Sequence, residues 1–222
     1  MKFNLSNRIT EKTFKIIDSK EKAYYLGFLW ADGTITKTDV SLEILESDGA
    51  LLLNSFKKIG HFNTYSRQRS NSKNKQINIR LYCTALATFL KQGLGYDKKS
   101  IDAPVKVLNH IPNKFHKYFW RGYFDGDGCI SKIKGSLNRY RIFIYSSYDQ
   151  DWSSLQNIGE SSGFNFKVFR KVRPKGHKFS FMCLSSVENI TNFCNYIYGK
   201  DYDGLGLQRK FQKYSDFVSF DR

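Results

Sequence analysis

Two aspartates stand at equivalent places in two similar stretches of this sequence. The stretches are "AYYLGFLWADGTIT", residues 23–36, and "YFWRGYFDGDGCIS", residues 118–131, and each runs from an aromatic segment into an Asp-Gly pair. An isolated Asp-Gly pair usually marks nothing more than a turn. Here Asp32 and Asp127 follow the same kind of aromatic segment in each half of the chain, and this recurrence favours a chemical role for the two carboxylates.

The glycines inside the two stretches indicate how the carboxylates could meet. The same offset of 95 residues separates Gly27 from Gly122 and Asp32 from Asp127. If both stretches are helices, glycine would let their backbones approach closely, and the aspartates would lie side by side at the helix C-termini. Helix C-termini are unfavourable for anions, and adjacent carboxylates repel each other. Divalent cations would relieve both effects, and Mg²⁺ sites commonly use one or two carboxylates plus phosphate oxygens.

The composition favours a polyanionic partner. The 222 residues include 36 Lys and Arg against 20 Asp and Glu, a formal net charge of +16. Neutralising phosphates with such side chains releases condensed counterions. Two carboxylates, a metal and a basic surface together indicate phosphodiester hydrolysis, in which the metal activates the attacking water and stabilises charged oxygens.

Several other classes are disfavoured. The chain has no apolar leader at its start, and its longest near-apolar run, Ala23 to Ala31, is too short to span a bilayer. We therefore expect an intracellular protein that does not bind membranes. The four cysteines form no CxxC pair, so we expect free thiols rather than a zinc site. The four histidines are scattered, and no Walker-type glycine loop occurs.

The pattern of elements around the two stretches predicts an α+β fold. Each half reads α-β-β-α-β-β-α, with helices expected to begin at Asp48 and Asp149 as N-caps. This order predicts two pseudo-symmetric repeats, residues 1–110 and 111–222, each with a four-stranded antiparallel sheet covered by helices on one side.

The strands alternate between apolar residues and polar residues that are almost free of acids. In "QINIRLY" the isoleucines and the leucine share one face, and the polar side chains share the other. We expect these polar faces to contact DNA, with Arg reading guanine and Asn reading adenine. The candidate DNA-binding residues are Lys37, Arg67, Arg69, Asn78 and Arg80 in the first half, and Lys132, Lys134, Arg139, Arg141, Arg170 and Arg173 in the second. Because these sets differ, the expected target is only weakly palindromic.

The segments "YLGFLWADG" and "WRGYFDGDG" resemble the two motifs of the LAGLIDADG homing endonucleases, in the form with two repeats on one chain. The resemblance covers nearly the whole chain, although Trp30 stands where the family often has an acid. It implies that the motif helices form the interface between the halves and that the two sheets straddle the DNA major groove. It also implies that Asp32 and Asp127 bind the metal and cut both strands across the minor groove. The neighbouring Ala31 is not expected to bind the metal.

The resemblance further implies a lysine near the active site after the last helix of each repeat. The matching positions are Lys98 or Lys99 in the first repeat and Lys210 in the second, where a lysine could polarise the water or stabilise phosphate charge. The implied enzyme is intron-encoded and monomeric and uses two or more Mg²⁺ ions. Mn²⁺ is expected to substitute, and Ca²⁺ to bind without turnover.

Two alternatives stay open at this point. One is a splicing maturase of the same fold that binds intron RNA, since retention of both aspartates is compatible with that activity. The other is a DNA-binding regulator without catalysis, which would be expected to lose an aspartate. An intein is disfavoured because the chain starts with Met and lacks a terminal His-Asn followed by a nucleophile.

Overall fold

The computed structural model describes residues 8–68, 74–135, 139–199 and 202–220. The first half begins with a short helix and then runs through a motif helix, a four-stranded sheet and further helices. Its elements are α1 (Glu11–Lys15), α2 (Lys20–Asp32), β1 (Thr34–Ile35), β2 (Asp39–Leu45), α3 (Glu46–Phe56), β3 (Asn63–Arg67), β4 (Gln76–Tyr82), α4 (Thr84–Thr88) and α5 (Val105–His110). Helix α4 continues as one turn of π-helix, Phe89–Gly93.

The second half repeats this order. Its elements are α6 (His116–Asp127), β5 (Gly128–Lys132), β6 (Tyr140–Ser146), α7 (Ser153–Ser162), β7 (Lys167–Val172), β8 (Lys178–Leu184), α8 (Val187–Tyr198) and α9 (Gln208–Phe220). The helices α1 and α5 are additions to the predicted order. The predicted α+β architecture with two repeats is confirmed.

Each half contains one antiparallel sheet with the same topology. The strand orders are β1-β2-β4-β3 and β5-β6-β8-β7, so β3 and β7 are edge strands. Leu42 pairs with Ile79 in the first sheet, and Ile144 pairs with Met182 in the second; all four side chains are buried. These residues lie on the helix side of each sheet, and the opposite side, here called the outer face, is left to polar and aromatic residues.

The starts of two helices differ from the predicted caps. Helix α3 begins at Glu46, so Asp48 lies within its first turn and its carboxylate instead accepts a hydrogen bond from Arg209 at 2.9 Å. Helix α7 begins at Ser153, whose amide donates to the carboxylate of Asp151 at 2.8 Å, and Asp149 caps nothing. Both predicted N-caps are therefore wrong, because Leu45 precedes the first residue of α3 and Trp152 precedes the first residue of α7.

The other composition-based expectations concern the cysteines and membrane segments. All four cysteines are free, as expected. Across the described ranges, the helices are too short or too polar for any of them to cross a bilayer.

Candidate active site and nucleic-acid interface

The motif helices α2 and α6 cross in direct backbone contact at their glycines. A Cβ atom placed on Gly27 would lie 1.8 Å from the carbonyl oxygen of Phe119, and one placed on Gly122 would lie 2.1 Å from that of Tyr24. No side chain fits at either position. The crossing therefore depends on glycine in both helices, and it brings their C-terminal ends together.

Asp32 and Asp127 are the last residues of these two helices and lie next to each other. A Cβ atom on Gly126 would lie only 3.4 Å from Oδ2 of Asp32. Burial by the protein raises the pKa of Asp127, the nearby charge of Asp32 raises it further, and the result is about 7. The pKa of Asp32 is also raised by burial, although Lys210 and Lys99 oppose the shift. Asp32 retains access to solvent and Asp127 is half-buried.

A lysine side chain caps the C-terminal end of each motif helix. Lys99 Nζ donates to the carbonyl oxygens of Leu29, Ala31 and Gly33 at 3.1, 3.0 and 2.7 Å. These oxygens lie at the C-terminal end of α2, where several carbonyls lack partners within a helix, and the Leu29 oxygen also accepts from the Gly33 amide at 2.9 Å. The ammonium group of Lys99 therefore offsets the negative end of the α2 dipole beside Asp32.

The second repeat contains the same arrangement. Lys210 Nζ donates to the carbonyl oxygens of Phe124, Asp125 and Gly128 at 2.7, 2.6 and 2.6 Å, and the residue is buried. Burial lowers the pKa of Lys99 and of Lys210 to about 8, against the attraction of the neighbouring carboxylates. Lys98, the other candidate in the first repeat, is exposed.

The residue two positions before the active-site aspartate differs between the repeats: it is Trp30 in the first and Asp125 in the second. Trp30 is buried against Tyr96, with ring centroids 4.9 Å apart. The corresponding Asp125 is buried and accepts hydrogen bonds from the Tyr24 hydroxyl at 2.8 Å and the Leu207 amide at 2.9 Å. Asp125 thus links α6 to α2 and to the segment before α9, whereas Asp32 and Asp127 make no such links.

Asp32 and Asp127 are two carboxylates without further acidic, His or Cys ligands grouped around them in the described part of the chain. Within the described part of the chain, no three or more His, Cys, Asp or Glu side chains come together to hold a metal ion. A site of this kind can supply one or two carboxylate oxygens to Mg²⁺ and leaves the remaining positions to water and phosphate.

On the first sheet, the candidate DNA-binding residues are partly engaged by acids. Arg67 forms an ion pair with Glu43, and Arg80 lies 3.6 Å from Asp39. Both acids lie in β2 on the outer face, so the expectation of an almost acid-free surface is wrong for this sheet. Asn78 lies on the same face but is buried.

The structure describes one of the two remaining first-half candidates, Lys37. Lys37 is exposed in the β1–β2 turn and lines a depression with Thr84 and Lys91. Arg69 lies outside the described residues.

On the second sheet, the candidates divide between the two faces. Arg139 and Arg141 are exposed on the outer face, and Arg173 lies over the ring of Phe179 at 4.9 Å. Lys132 and Arg170 alternate with them onto the helix side, where Arg170 donates to the Tyr148 carbonyl at 3.0 Å. Lys134 lies in the turn after β5. Lys132 and Arg170 therefore do not share the face on which they were expected.

The sequence reasoning missed the most exposed part of this second face. Lys167 and Lys171 lie beside Arg141 on the outer face, and five aromatic residues lie between them. The alternation in "RIFIY", "KVFRKV" and "KFSF" carries the signal, because every second residue of these segments is aromatic or basic on one face.

The comparisons agree with this fold. A LAGLIDADG-like domain model matches residues 114–198. The structure resembles the homing endonuclease I-WcaI bound to its DNA recognition sequence, with 14% identity, a TM-score of 0.60, and coverage of 91% of this chain and 90% of that chain. It also resembles the I-LtrWI LAGLIDADG homing endonuclease bound to target DNA, with 14% identity, a TM-score of 0.55, and coverage of 96% and 91%. Full-length DUF199/WhiA from Thermatoga maritima gives 12% identity, a TM-score of 0.53, and coverage of 97% and 67%.

Two curated relatives match segments of the chain. One is the DNA-directed RNA polymerase subunit Rpo1C of Methanocaldococcus jannaschii, 31% identical over 139 residues, which cover 58% of this chain and 15% of the relative. The other is the probable translation initiation factor IF-2 of Thermococcus kodakarensis, 24% identical over 177 residues, which cover 78% of this chain and 14% of the relative. The chain thus spans about one seventh of the length of either relative.

Proposed function

Because this chain carries a LAGLIDADG-like domain and has the two-repeat fold of the LAGLIDADG homing endonucleases, we propose that it is a site-specific DNA endonuclease. It makes a double-strand break in a long, weakly palindromic duplex by divalent-metal-dependent hydrolysis. The observation that carries the proposal is the meeting of Asp32 and Asp127 at the ends of two helices in backbone contact.

The acidic pair fits a divalent metal. Two raised carboxyl pKa values show that the helix ends place negative charge where burial and mutual repulsion oppose it. Asp32 and Asp127 would hold the metal, with Mg²⁺ as the working ion, Mn²⁺ as a substitute and Ca²⁺ as an ion that supports binding only. Bound cations would lower the pKa of the attacking water and stabilise the attacking and leaving oxygens.

Lys99 and Lys210 act as positioning residues in this proposal. An ammonium group has three protons, and each of these lysines directs them at three backbone carbonyls. Neither lysine has a donor left for a phosphate while these bonds persist. Their contribution is to fix the two Asp-Gly turns and to keep the helix ends compatible with adjacent carboxylates.

The outer faces of the two sheets are the proposed DNA-binding surfaces. I-WcaI and I-LtrWI, whose folds this chain shares, are described as bound to DNA. Arg67, Asn78 and Arg80 occupy one outer face, and Arg139 and Arg141 occupy the other. The two faces differ in charge and side chains, which supports a target whose halves differ.

The test is selection of cleaved sequences from a randomised duplex library with Mg²⁺, followed by assays on the selected target. Asp32→Asn and Asp127→Asn are each expected to reduce cutting by at least about 100-fold, while duplex binding persists. Asp18→Asn serves as the matched control, since Asp18 is an exposed acid paired only with Lys22. Chelation of the metal with EDTA should stop cutting by the wild type. Unchanged cutting by both active-site variants would contradict the assignment.

A DNA-binding protein without nuclease activity is the second candidate. It is favoured by the likeness to DUF199/WhiA, a protein of similar fold that is not described as a nuclease. The same library distinguishes the candidates: specific duplex binding without cutting in Mg²⁺ or Mn²⁺ supports the second one.

A further inference from the structure

The outer face of the second sheet carries a cluster of exposed and half-buried aromatic rings, here called the ring cluster. Tyr145 is 41% exposed and Phe169 is 39% exposed. A soluble surface seldom leaves several large rings together in water unless they contact a partner. The ring cluster consists of Phe143, Tyr145, Phe169, Phe179 and Phe181.

The rings pack against one another across three strands. Tyr145, Phe181 and Phe169 are direct cross-strand neighbours in β6, β8 and β7. Phe169 and Phe181 stack with centroids 5.1 Å apart and planes 20° apart, and Tyr145 lies 5.6 Å from Phe181. The stacked rings cover part of one another's faces and form a joint apolar surface.

Basic side chains surround this apolar surface. Arg141, Lys167, Lys171 and Arg173 line the same shallow concavity of about 590 Å³, and none of its described lining residues is acidic. Lys171 Nζ lies 5.7 Å from the centroid of Phe181. The charge of the surface is therefore complementary to a polyanion.

The outer face of the first sheet has a different character. Its arginines are paired with Glu43 and Asp39, and its exposed rings are Tyr65 and Tyr82, each 5.7 Å from Arg80. The apolar surface available to a partner is thus larger on the outer face of the second sheet than on that of the first.

We infer that the ring cluster reads the methyl groups of thymine in the major groove, so that the half of the target bound by the second repeat is rich in thymine. This inference rests on the proposed binding of duplex DNA. The thymine C5-methyl is the apolar group that base pairs present in the major groove, whereas the other base edges there present hydrogen-bonding groups. Four of the five rings are phenylalanines and offer no hydrogen bond, while the basic rim contacts phosphates. Stacking of unpaired bases is less favoured, because neighbouring rings and cations already cover ring faces.

The test replaces every thymine in one half of the selected target with deoxyuridine, which removes the methyl and keeps the pairing edges. Dissociation constants are measured by fluorescence anisotropy with Ca²⁺ and the full chain. Substitution in one half should weaken binding by about fourfold for each contacted methyl, the factor expected for one buried methyl-sized group. Substitution in the other half should leave the dissociation constant within about twofold, because that loss of buried apolar area is absent there.

A protein variant identifies the surface that senses the methyl. The double variant Tyr145→Thr and Phe169→Thr keeps β-forming side chains at exposed positions. It should bind the thymine target more weakly and lose its sensitivity to deoxyuridine. Tyr65→Thr is the matched control, since Tyr65 is 42% exposed on the equivalent edge strand of the first sheet. The control should retain the deoxyuridine effect.

Three results would overturn the inference. The deoxyuridine effect could be equal in the wild type and the double variant, or the selected half-site could lack thymine. Tighter binding of a single-stranded oligonucleotide than of the duplex would indicate base stacking instead. In these cases specific duplex cleavage would still support the proposed function, whereas failure to bind any duplex would overturn both.

Discussion

Substitution of the glycine at the helix crossing tests whether backbone contact positions the acidic pair. In Gly27→Ala, the new methyl group would lie 1.8 Å from the carbonyl oxygen of Phe119 and 2.6 Å from its carbonyl carbon. Both are backbone atoms of α6, so no side-chain rotation relieves the clash. The helices must separate by roughly 1.2 Å before the closest contact reaches 3.0 Å.

The expected loss of stability follows from two opposing effects. Forcing an extra carbon into a packed interface typically costs about 1–3 kcal/mol, and a rigid backbone neighbour places this case at the upper end. Alanine recovers about 1 kcal/mol through its better helix propensity. We therefore expect the free energy of unfolding of Gly27→Ala to fall by about 2 kcal/mol, and the remaining stability of a domain this size lets it fold.

The assay measures urea denaturation and DNA cleavage on the same variants. Gly93→Ala is the matched control, because its nearest neighbour is the Phe89 ring at 3.3 Å, a side chain that can move. The control should not lose stability, because alanine gains up to about 1 kcal/mol in helix propensity and the Phe89 ring can move. Cleavage by Gly27→Ala should fall by about 100-fold beyond any loss of folded protein, because a shift of about 1 Å at the helix ends misplaces Asp32 against Asp127.

One result would refute this reasoning. If Gly27→Ala and Gly93→Ala unfold at the same urea concentration and cut equally well, the helices do not touch at Gly27, and backbone contact does not hold the acidic pair.

Two further predictions concern the charged groups around the helix ends. Lys210→Met removes the buried ammonium that donates to the carbonyl oxygens of Phe124, Asp125 and Gly128, and it should lower the free energy of unfolding by about 2–3 kcal/mol in urea denaturation. Lys98→Met at an exposed position should change little, and equal effects would contradict the capping role of Lys210. Burial would raise the pKa of Asp203, but hydrogen bonds from Lys20 and Arg121 outweigh it and hold the pKa well below its usual range, so its ionised form stabilises the fold at neutral pH. The stability difference between wild type and Asp203→Asn should therefore narrow as the pH falls below about 4, and a constant difference from pH 7 to pH 3 would contradict the shift.

Local sequence was sufficient for the repeat and for most of the fold. The matched Gly and Asp positions and the alternation of strands such as "QINIRLY" depend only on spacing along the chain, and they predicted two antiparallel sheets joined through glycine-containing helices. The same spacing indicated Asp32 and Asp127 as a pair, and the family resemblance implied that they bind the metal. The choice between Lys98 and Lys99 could not be made in this way. The two lysines are adjacent in the chain, and the sequence does not show which of their side chains points toward the end of α2.

The tertiary structure decided what each side chain faces. Only the folded structure shows that the ammonium groups of Lys99 and Lys210 donate to backbone carbonyls. It also shows that two acids, Glu43 and Asp39, lie on the outer face beside arginines. Aromatic residues from three strands form one surface for the same reason. The physical reason is that period and propensity act between near neighbours in the chain, whereas these contacts join residues that are 12 to more than 80 positions apart. The sequence by itself determined which elements form and that two aspartates end matching helices, and packing between the elements determined the charge and chemistry around them.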